Sequence, residues 1–341
     1  MQNILVTGGL GFIGSHTVTT LLNNNLQPII IDNLSNSNLD VLKKIKNISG
    51  VQPKFFEGDI RDEDFLSRVL FGNKIDAVIH FAGLKDVADS VKNPNKYYDV
   101  NVNGSKTLIK QLIKFDIKKI IFSSSATIYG EPKILPIPES HPIDTINPYG
   151  ENKVMVESFL EDLCKQDDQW KATSLRYFNP IGAHPSGHLG EAISTKISNI
   201  MPHILNVALK KVSILDVYGN DYDTKDGTGI RDYIHIMDLV DGHIAALSCL
   251  DKQNGHNIFN LGTGKGISVL ELVKAFEEAT NQQIPYQFVG KRKGDLSTSY
   301  ADPSKALKEL RWKAKKGLTE MCEDSFKWVC SEKYKKKLID D

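Results

Sequence analysis

The stretch that joins the first apolar run to the first helical segment reads Thr7-Gly8-Gly9-Leu10-Gly11-Phe12-Ile13-Gly14. Its early glycines permit a tight turn, and without Cβ atoms the backbone can approach a pyrophosphate closely. Gly14 permits close packing of the helix on the strand, and the helix N-terminus offers N–H groups and partial positive charge to phosphates. The stretch therefore predicts a dinucleotide site at the end of the first strand.

The segments around this turn repeat a strand and helix pattern through the first half of the chain. Runs that are apolar on both faces predict buried parallel strands, and segments of helical period lie between them. The predicted strands are Asn3–Thr7, Pro28–Ile31, Lys54–Glu57, Ala77–Phe81 and Ile120–Ser124, and the helices include Ile13–Asn24 and Tyr97–Phe115. We therefore expect an α/β fold, with a doubly wound parallel Rossmann sheet and a smaller C-terminal α/β substrate domain.

The pattern changes after residue 178. Three elements precede the change: a Pro-rich loop at Pro132–Pro148, a helix from near Gly150 and a strand at Ala172–Phe178. After the change, Gly-rich segments at 182–190 and 219–229 predict long functional loops. Helices are predicted again at Ile236–Leu250, Val269–Thr280 and Leu318–Cys330. We expect residues 1–178 to bind the dinucleotide and residues 179–341 to bind substrate, with the chain crossing back to the sheet near 235–262.

Acidic and small residues at other strand ends extend the dinucleotide site. Asp32 ends the second strand and lies 18 residues beyond Gly14, where a carboxylate accepts from ribose hydroxyls and repels a 2′-phosphate, which favours NAD over NADP. Asp59 follows the third strand, where it can reach the adenine amino group or cap a helix. Phe81-Ala82-Gly83 ends the fourth strand, where small residues let the backbone pass under the cofactor.

A Tyr and a Lys four residues apart, Tyr149 and Lys153, predict proton chemistry. On a helix they share one face. A free Tyr has a pKa of about 10 and is a poor base, but a neighbouring ammonium and the positive nicotinamide favour its phenolate. Ser123-Ser124-Ser125 ends the fifth strand, where a hydroxyl can hydrogen-bond the sugar oxygen from which Tyr149 would take a proton.

The charge balance excludes several classes of partner. Lys plus Arg number 42 and Asp plus Glu also number 42, so we expect no nucleic acid and no membrane partner, and an anionic substrate must meet a few local cations.

The four cysteines form no C-x-x-C pair, which predicts no metal site and reduced thiols. The start of the chain does not resemble a signal peptide, and we expect a cytoplasmic protein.

These motifs together resemble the extended short-chain dehydrogenase/reductase family. The motifs are Thr7–Gly14, Phe81–Lys85, Ser123–Gly130 and the Tyr149/Lys153 pair. Arg176–Gly187, Gly219–Tyr222 and Asp226–His235 are similar to the UDP-glucose 4-epimerases within that family, and the similarity spans about residues 3–330. The resemblance implies reversible C4 epimerisation of UDP-hexoses through a transient 4-keto sugar with tightly bound NAD.

The resemblance also implies roles for individual residues. Tyr149, Lys153 and Ser125 would be catalytic, with Tyr149 removing the proton from the 4-hydroxyl. The implied cofactor contacts are Gly8, Gly11, Phe12, Ile13, Gly14, Asp32, Asn33, Asn36, Ser37, Asp59, Ile60, Phe81, Ala82, Gly83, Lys85, Ser123, Tyr149, Lys153 and Tyr177. The implied UDP-sugar contacts are Lys85, Ser125, Tyr149, Asn179, Asn199, Ile200, Tyr218, Arg231, Arg292, Asp295 and Ser299.

Ser299 departs from family members that carry a Tyr at the aligned position of the sugar pocket. A small residue leaves space near C2 of the hexose, so we expect UDP-GlcNAc and UDP-GalNAc to be substrates as well. Relatives usually form dimers through helices that correspond to residues 97–115 and 150–165, which implies a homodimer.

Three other functions compete with this interpretation. A nucleotide-sugar 4,6-dehydratase needs an acid and a base beside the catalytic hydroxyl, but Ala126 and Thr127 follow Ser125. A UDP-uronate 4-epimerase or a related nucleotide-sugar enzyme would need donors for a C6 carboxylate, which the sequence does not identify. A non-catalytic NAD-binding regulator would need the glycine stretch but neither Tyr149 nor Lys153.

Overall fold

The computed structural model describes residues 2–192, 199–292 and 294–331, and its centre is a seven-stranded sheet. The strands are β1 (Asn3–Thr7), β2 (Gln27–Asp32), β3 (Lys54–Glu57), β4 (Ala77–His80), β5 (Lys119–Ser125), β6 (Lys171–Tyr177), β7 (Asn179–Ile181), β8 (Leu215–Tyr218), β9 (Ile230–Arg231), β10 (Tyr233–His235), β11 (Gly255–Leu261), β12 (Ile267–Ser268), β13 (Tyr286–Val289) and β14 (Thr298–Ser299).

Helices alternate with these strands. They are α1 (Phe12–Asn23), α2 (Asp40–Ser49), α3 (Glu63–Phe71), α4 (Val87–Lys92), α5 (Pro94–Tyr97), α6 (Gly104–Lys114), α7 (Pro148–Gln166), α8 (Ile200–Ala208), α9 (Ile236–Cys249), α10 (Val269–Thr280), α11 (Ser304–Leu310) and α12 (Leu318–Cys330). A π-helical turn, Tyr98–Asn103, joins α5 to α6, and short 3₁₀ turns span Ala126–Tyr129 and Leu250–Lys252. Among the described residues no helix combines the length and apolar character needed to cross a membrane.

The order of the large sheet confirms the doubly wound arrangement. It runs β11-β6-β5-β4-β1-β2-β3, and the ladders of β1 with β2 and β4 are parallel. Ile4, Leu5 and Val6 of β1 are wholly buried, as a strand covered on both faces requires. The chain winds away from β1 in both directions, so the loops after β1 and β4 diverge at the point where such folds bind ligands.

Two compact units make up the chain, and each has its own core. The first comprises residues 1–128, 143–176 and 240–259, and its core packs Leu5, Ile31 and Leu108 with residues of α3 and α7. The second comprises residues 129–142, 177–239 and 260–341 and contains the smaller sheets β7/β10, β8/β13 and β12/β9/β14. The assignment of residues 1–178 to one ligand and 179–341 to another stays a prediction.

Most predicted elements match the observed bounds to within two residues, and one differs in kind. The segment 97–115 was expected to be one regular helix, but the π-helical turn interrupts its first part before α6 begins. Helix α7 begins at Pro148, where Asn147 caps it by accepting from the Gly150 N–H, rather than at Gly150 itself. Lys293 and the C-terminal lysine-rich run 333–337 lie outside the described residues.

Candidate active site

The glycine stretch forms the tight turn that the sequence predicts. Gly8 has a φ of +68°, and a Cβ there would lie 2.8 Å from the Ala82 nitrogen, because β1 and β4 approach closely at this point. A Cβ on Gly14 would overlap the carbonyl oxygen of Gly8. The turn therefore leaves no room for side chains on its inner surface, as a backbone cradle for a phosphate requires.

Helix α1 begins directly after this turn without a cap. Gly11 occupies the N-cap position, no side chain accepts from the first-turn N–H groups, and the first turn holds no acidic residue. Phe12 and Ile13 are half-buried in this turn. An uncapped helix start with a glycine cradle in front of it is a favourable place for the pyrophosphate of a dinucleotide.

Asp32 is buried at the end of β2 and organises the loops around it. Its carboxylate accepts from the Leu10 N–H at 3.0 Å, the Leu34 N–H at 3.0 Å and the Ser37 hydroxyl at 2.8 Å. A carboxylate has about four acceptor positions, so one remains for a ribose hydroxyl. Asn33 and Asn36 are exposed beside it.

Asp59 does not cap helix α3, which corrects one of the two roles that the sequence left open. Asp62 is the cap and accepts from the Phe65 N–H. Asp59 instead pairs with Arg61 at 2.8 Å and accepts from the Asn33 amide, and the hydrogen bonds from Arg61 hold the pKa of that carboxyl well below its usual range. The next residue, Ile60, is buried in the core of the first unit.

A chain of buried hydrogen bonds supports the segment that follows β4. The Thr7 hydroxyl meets His80 Nδ1 at 2.6 Å, and His80 Nε2 meets the Ser105 hydroxyl at 2.8 Å. Ser105 donates to the Asn101 carbonyl, and the Asn101 side chain holds both the N–H and the carbonyl of Leu84. Burial, and then the charge of Lys153, lower the pKa of His80 to about 3, so this imidazole is neutral.

The residues just before Leu84 are constrained by the same chain. A Cβ on Gly83 would lie 3.0 Å from the Asn101 side-chain oxygen, and the Ala82 N–H donates to Thr7 at 3.3 Å. Phe81 is half-buried and stacks against His243 at 5.0 Å, while Lys85 is exposed. Asn101 is a site residue that sequence reasoning missed, because nothing in the sequence reveals the π-helical turn that aims it at Leu84.

Tyr149 and Lys153 lie on one face of α7, as their spacing predicts. The buried Lys153 ammonium donates to the Ser123 carbonyl at 2.6 Å and lies 5.5 Å from the centroid of the Tyr149 ring. Burial raises the pKa of Tyr149 to about 12 and lowers the pKa of Lys153 to about 8. Both shifts come from desolvation of the charged form, so additional positive charge beside the phenol would favour the phenolate.

Ser125 is the second group that meets the phenol. Its hydroxyl hydrogen-bonds Tyr149, which favours the phenolate, and it accepts from the Thr127 N–H at 3.2 Å and the Thr127 hydroxyl at 3.0 Å. Because two donors already point at the Ser125 oxygen, its own hydrogen is available to the phenol. Sequence reasoning missed Thr127, although a Ser hydroxyl often accepts from the backbone N–H two residues further on.

The second unit places two cations around one carboxylate. Arg231 pairs with Asp295 at 2.7 Å, and Arg292 pairs with the other Asp295 oxygen at 3.3 Å. The Arg292 guanidinium lies over the Tyr218 ring at 4.6 Å. Four predicted substrate residues therefore form one cluster, which presents two guanidinium groups suited to a diphosphate.

Other predicted substrate residues lie on the surrounding elements. Asn179 begins β7 and donates its N–H to the Asp232 carbonyl. Asn199 precedes α8 and its amide contacts Glu191 at 3.4 Å, and Ile200 is the first residue of that helix. Tyr177, predicted to contact the cofactor, is buried at the end of β6.

Ser299 is buried on β14 and lies opposite Arg231 in a parallel ladder. Paired residues of neighbouring strands project to the same face, and the next residue projects to the other. Tyr300 accordingly lies against Gly266, where an added Cβ would come 3.0 Å from its ring. The small side chain, and not its Tyr neighbour, shares a face with Arg231.

Asp232 fastens the loops that carry this cluster. It is fully buried and accepts from the N–H and hydroxyl of Thr263, the Gly264 N–H and the Ala301 N–H, at 2.6–3.1 Å. Sequence reasoning treated Asp232 only as part of a motif. Its partners lie 31–69 residues away along the chain, so no local signal reveals them.

The glycine cradle, the uncapped helix α1 and the buried Tyr–Lys pair define an enzyme of the extended short-chain dehydrogenase/reductase class that uses NAD. The family model described as GDP-mannose 4,6 dehydratase matches residues 5–325. At the position where a dehydratase needs titratable groups, this chain has Ala126 and Thr127, and Thr127 is engaged with Ser125.

Known proteins narrow the class to one family. The UDP-glucose 4-epimerase of Bacillus subtilis is 50% identical over 96% of this chain and 97% of its own length. The crystal structure of UDP-glucose-4-epimerase from Stenotrophomonas maltophila with bound NAD and formylated UDP-arabinopyranose is 42% identical, with a TM-score of 0.95 over 100% of both chains. The enzyme from Bifidobacterium longum in complex with NAD⁺ and UDP is 47% identical, with a TM-score of 0.94 over 98% of this chain and 99% of that one. This chain belongs to the UDP-glucose 4-epimerase family.

Proposed function

We propose that Tyr149, Ser125 and Lys153 carry the proton chemistry of the family's reaction, the reversible C4 epimerisation of UDP-hexoses with bound NAD. The observation that supports this proposal best is the hydrogen-bonded series Thr127, Ser125, Tyr149 with the Lys153 ammonium beside the phenol. An ordinary helix face would not bury a Lys and a Tyr phenol together without a chemical use.

The proton steps follow from these contacts. Tyr149 as phenolate takes the proton from O4, while Ser125 hydrogen-bonds the same oxygen. The Lys153 ammonium lies 5.5 Å from the centroid of the Tyr149 ring, and a positive charge at that place favours the phenolate. The glycine turn, the start of α1 and Asp32 would hold NAD⁺, which would supply the acceptor and then the donor of the C4 hydride. The 4-keto sugar, held by its UDP group, turns over before Tyr149 gives the proton back, so C4 is inverted without net oxidation.

For the cofactor, we propose the glycine cradle and the start of α1 as the pyrophosphate site and Asp32 as the ribose acceptor. Three observations support this assignment: the tight glycine turn, in which Cβ atoms at Gly8 and Gly14 would clash with backbone, the uncapped start of α1, and the free acceptor position on Asp32. The remaining proposed contacts are Asn33, Asn36, Ser37, Asp59, Ile60, Phe81, Ala82, Gly83, Lys85, Ser123 and Tyr177. Residues 1–178 form the proposed NAD domain.

For the UDP-sugar, we propose residues 179–341 as the binding domain, with the chain returning to the sheet near 235–262. The Arg231, Arg292 and Asp295 cluster supports this proposal, because two guanidinium groups match the charge of a diphosphate. Asn179, Asn199, Ile200 and Tyr218 complete the proposed contacts of the nucleotide and sugar.

The enzyme also accepts N-acetylated hexoses in our proposal. The small side chain of Ser299 on the face that it shares with Arg231 supports it, because a Tyr there would fill space that an acetamido group needs. The same enzyme would then interconvert UDP-GlcNAc and UDP-GalNAc.

A cytoplasmic homodimer is the proposed physiological state. Exposed apolar side chains on α4, the π-helical turn, α6 and α7 support the dimer, namely Val91, Tyr98, Ile113 and Met155. Leu108 and Leu112 of α6 are wholly buried in the core of the single chain, so they do not contribute to the proposed contact. The buried thiols of Cys164 and Cys322 suit a reducing compartment.

The test is product analysis by proton NMR, without added cofactor, on UDP-Gal and separately on UDP-GalNAc. We expect gluco products from both and a primary isotope effect with C4-deuterated UDP-Gal. Tyr149→Phe should lower kcat at least 100-fold, as expected for loss of a general base. Tyr286→Phe removes a hydroxyl from an exposed ring and serves as the control. Full activity of Tyr149→Phe would contradict the assignment.

A further inference from the structure

A buried ion pair lies behind the catalytic face of α7. Arg176, near the end of β6, donates to Glu157 of α7 from Nε at 3.1 Å and from Nη2 at 2.6 Å. The exposed fractions of the two side chains are 2% and 5%. Such a pair is a weak source of stability, because desolvation of both charges offsets much of their attraction. Apolar side chains of similar volume would fill this space equally well.

Glu157 lies one helical turn beyond Lys153, and Lys153 lies one turn beyond Tyr149. All three face the sheet on one stripe of α7, since residues four apart are neighbours on a helix surface. Lys153 anchors the stripe to β5 through the Ser123 carbonyl, and Glu157 anchors it to the adjacent strand β6 through Arg176. Both anchors lie near the carboxyl ends of their strands, where the site forms.

We propose that Glu157 and Arg176 are positioning residues that fix the orientation of α7 and keep Lys153 protonated beside Tyr149. The proposal rests on the role proposed above for Lys153. Arg176 belongs to the segment 176–187 that resembles the epimerases, yet no direct ligand contact was assigned to it.

Among the described residues, Glu157 on the same helix is the charged group that acts on Lys153. The titratable groups near it are neutral: the Tyr149 phenol on α7 and the His80 imidazole on β4. Arg176 of β6 is paired with Glu157, so its charge is compensated. Burial lowers the pKa of Lys153 to about 8, and the Glu157 carboxylate opposes that shift.

Opposite shifts of the pH profile distinguish this role from a structural one. We would measure kcat/KM for UDP-Gal from pH 6 to 10 with purified holoenzymes of the wild type, Glu157→Gln, Arg176→Gln and the double variant. The alkaline limb reports loss of the Lys153 proton. It should move down by about 0.5–1 pH unit in Glu157→Gln. It should move up in Arg176→Gln, because the Glu157 charge is then no longer compensated by Arg176 and stabilises the Lys153 ammonium more strongly.

The double variant keeps the test available if an unpaired buried charge prevents either single variant from folding. Its limb should still move down, because the carboxylate that acts on Lys153 is gone, but by less than in Glu157→Gln, because the unpaired Arg176 charge is gone as well. Glu161→Gln is the matched control: the same change on the same helix, at an exposed carboxylate that pairs with Lys165. It should leave the profile unchanged.

The outcomes distinguish failure of this proposal from failure of the proposed role of Lys153, on which it rests. A uniform loss of activity with no movement of the limb, or shifts of the same sign in both single variants, would overturn the positioning role. Full activity in Lys153→Met would instead remove the proposed role of Lys153 itself, whatever the Glu157 variants do.

Discussion

Asp232→Asn should destabilise the second compact unit, because it removes an acceptor from buried hydrogen bonds. The carboxylate accepts two donors on each oxygen: the N–H and hydroxyl of Thr263 on one, and the N–H groups of Gly264 and Ala301 on the other. An Asn keeps one accepting oxygen and turns its NH₂ group towards the other two donors. Two buried donors then lose their acceptor, at about 1–3 kcal/mol each, so the variant should lose roughly 2–6 kcal/mol of unfolding free energy.

The functional effect should appear in KM. Asp232 follows Arg231 directly, and Ala301 lies two residues beyond Ser299, so loosening these contacts releases residues on both strands of the proposed sugar site. We would measure urea unfolding at pH 7.5 together with kcat and KM for UDP-Gal. KM should rise more than kcat falls, because the Tyr149 group belongs to the other unit.

Asp223→Asn provides the control for this change. Asp223 is exposed in the neighbouring loop, and its replacement should alter neither quantity measurably. An Asp232→Asn variant with the unfolding free energy of the wild type would refute the argument, because it would mean that Asp232 is already protonated or that its donors find other acceptors.

Three further changes test other parts of the molecule. Gly8→Ala adds a Cβ 2.8 Å from the Ala82 nitrogen at a positive φ, so the purified protein should carry less NAD and have a lower Tm. The NAD content is measured by absorbance after denaturation, and an unchanged content would contradict the proposed pyrophosphate site. His80 is neutral and buried, with a pKa of about 3 against an ordinary value of 6.5. Its contribution to the unfolding free energy, at most roughly 4–5 kcal/mol, is therefore complete above pH 6.5 and is lost as the pH falls towards 3. His80→Gln should therefore show a flatter decline of unfolding free energy between pH 6.5 and 4 than the wild type; parallel curves would exclude this origin. Ser299→Tyr should lower kcat/KM for UDP-GalNAc relative to UDP-Gal by about 10–200-fold, whereas an unchanged ratio would exclude Ser299 from the C2 pocket.

Local sequence patterns predicted much of the fold and part of the site. The glycine stretch, the apolar strands and the Tyr149/Lys153 spacing each depend on neighbours within a few residues, and the structure has them where the sequence indicates. The cap of α3 was not predicted: the sequence left Asp59 open between an adenine contact and a helix cap, and the cap is Asp62. Only the observed path of the chain distinguishes a carboxylate that meets the first helical N–H groups from one that meets Arg61.

The sequence by itself determined the class of enzyme, through motifs that resemble a known family, and it determined that NAD is the cofactor and that Tyr149 and Lys153 share one face of α7, because each of these signals lies within a short segment of the chain. Only the tertiary structure decided that Asn101 holds Leu84, that Asp232 ties Thr263 to Ala301, and that Arg176 pairs with Glu157 behind Lys153. The physical reason is that a buried polar group must find its partners wherever packing brings them. The partners of such a group can lie far apart along the chain, up to 69 residues for Asp232, so no periodic pattern in the sequence indicates them.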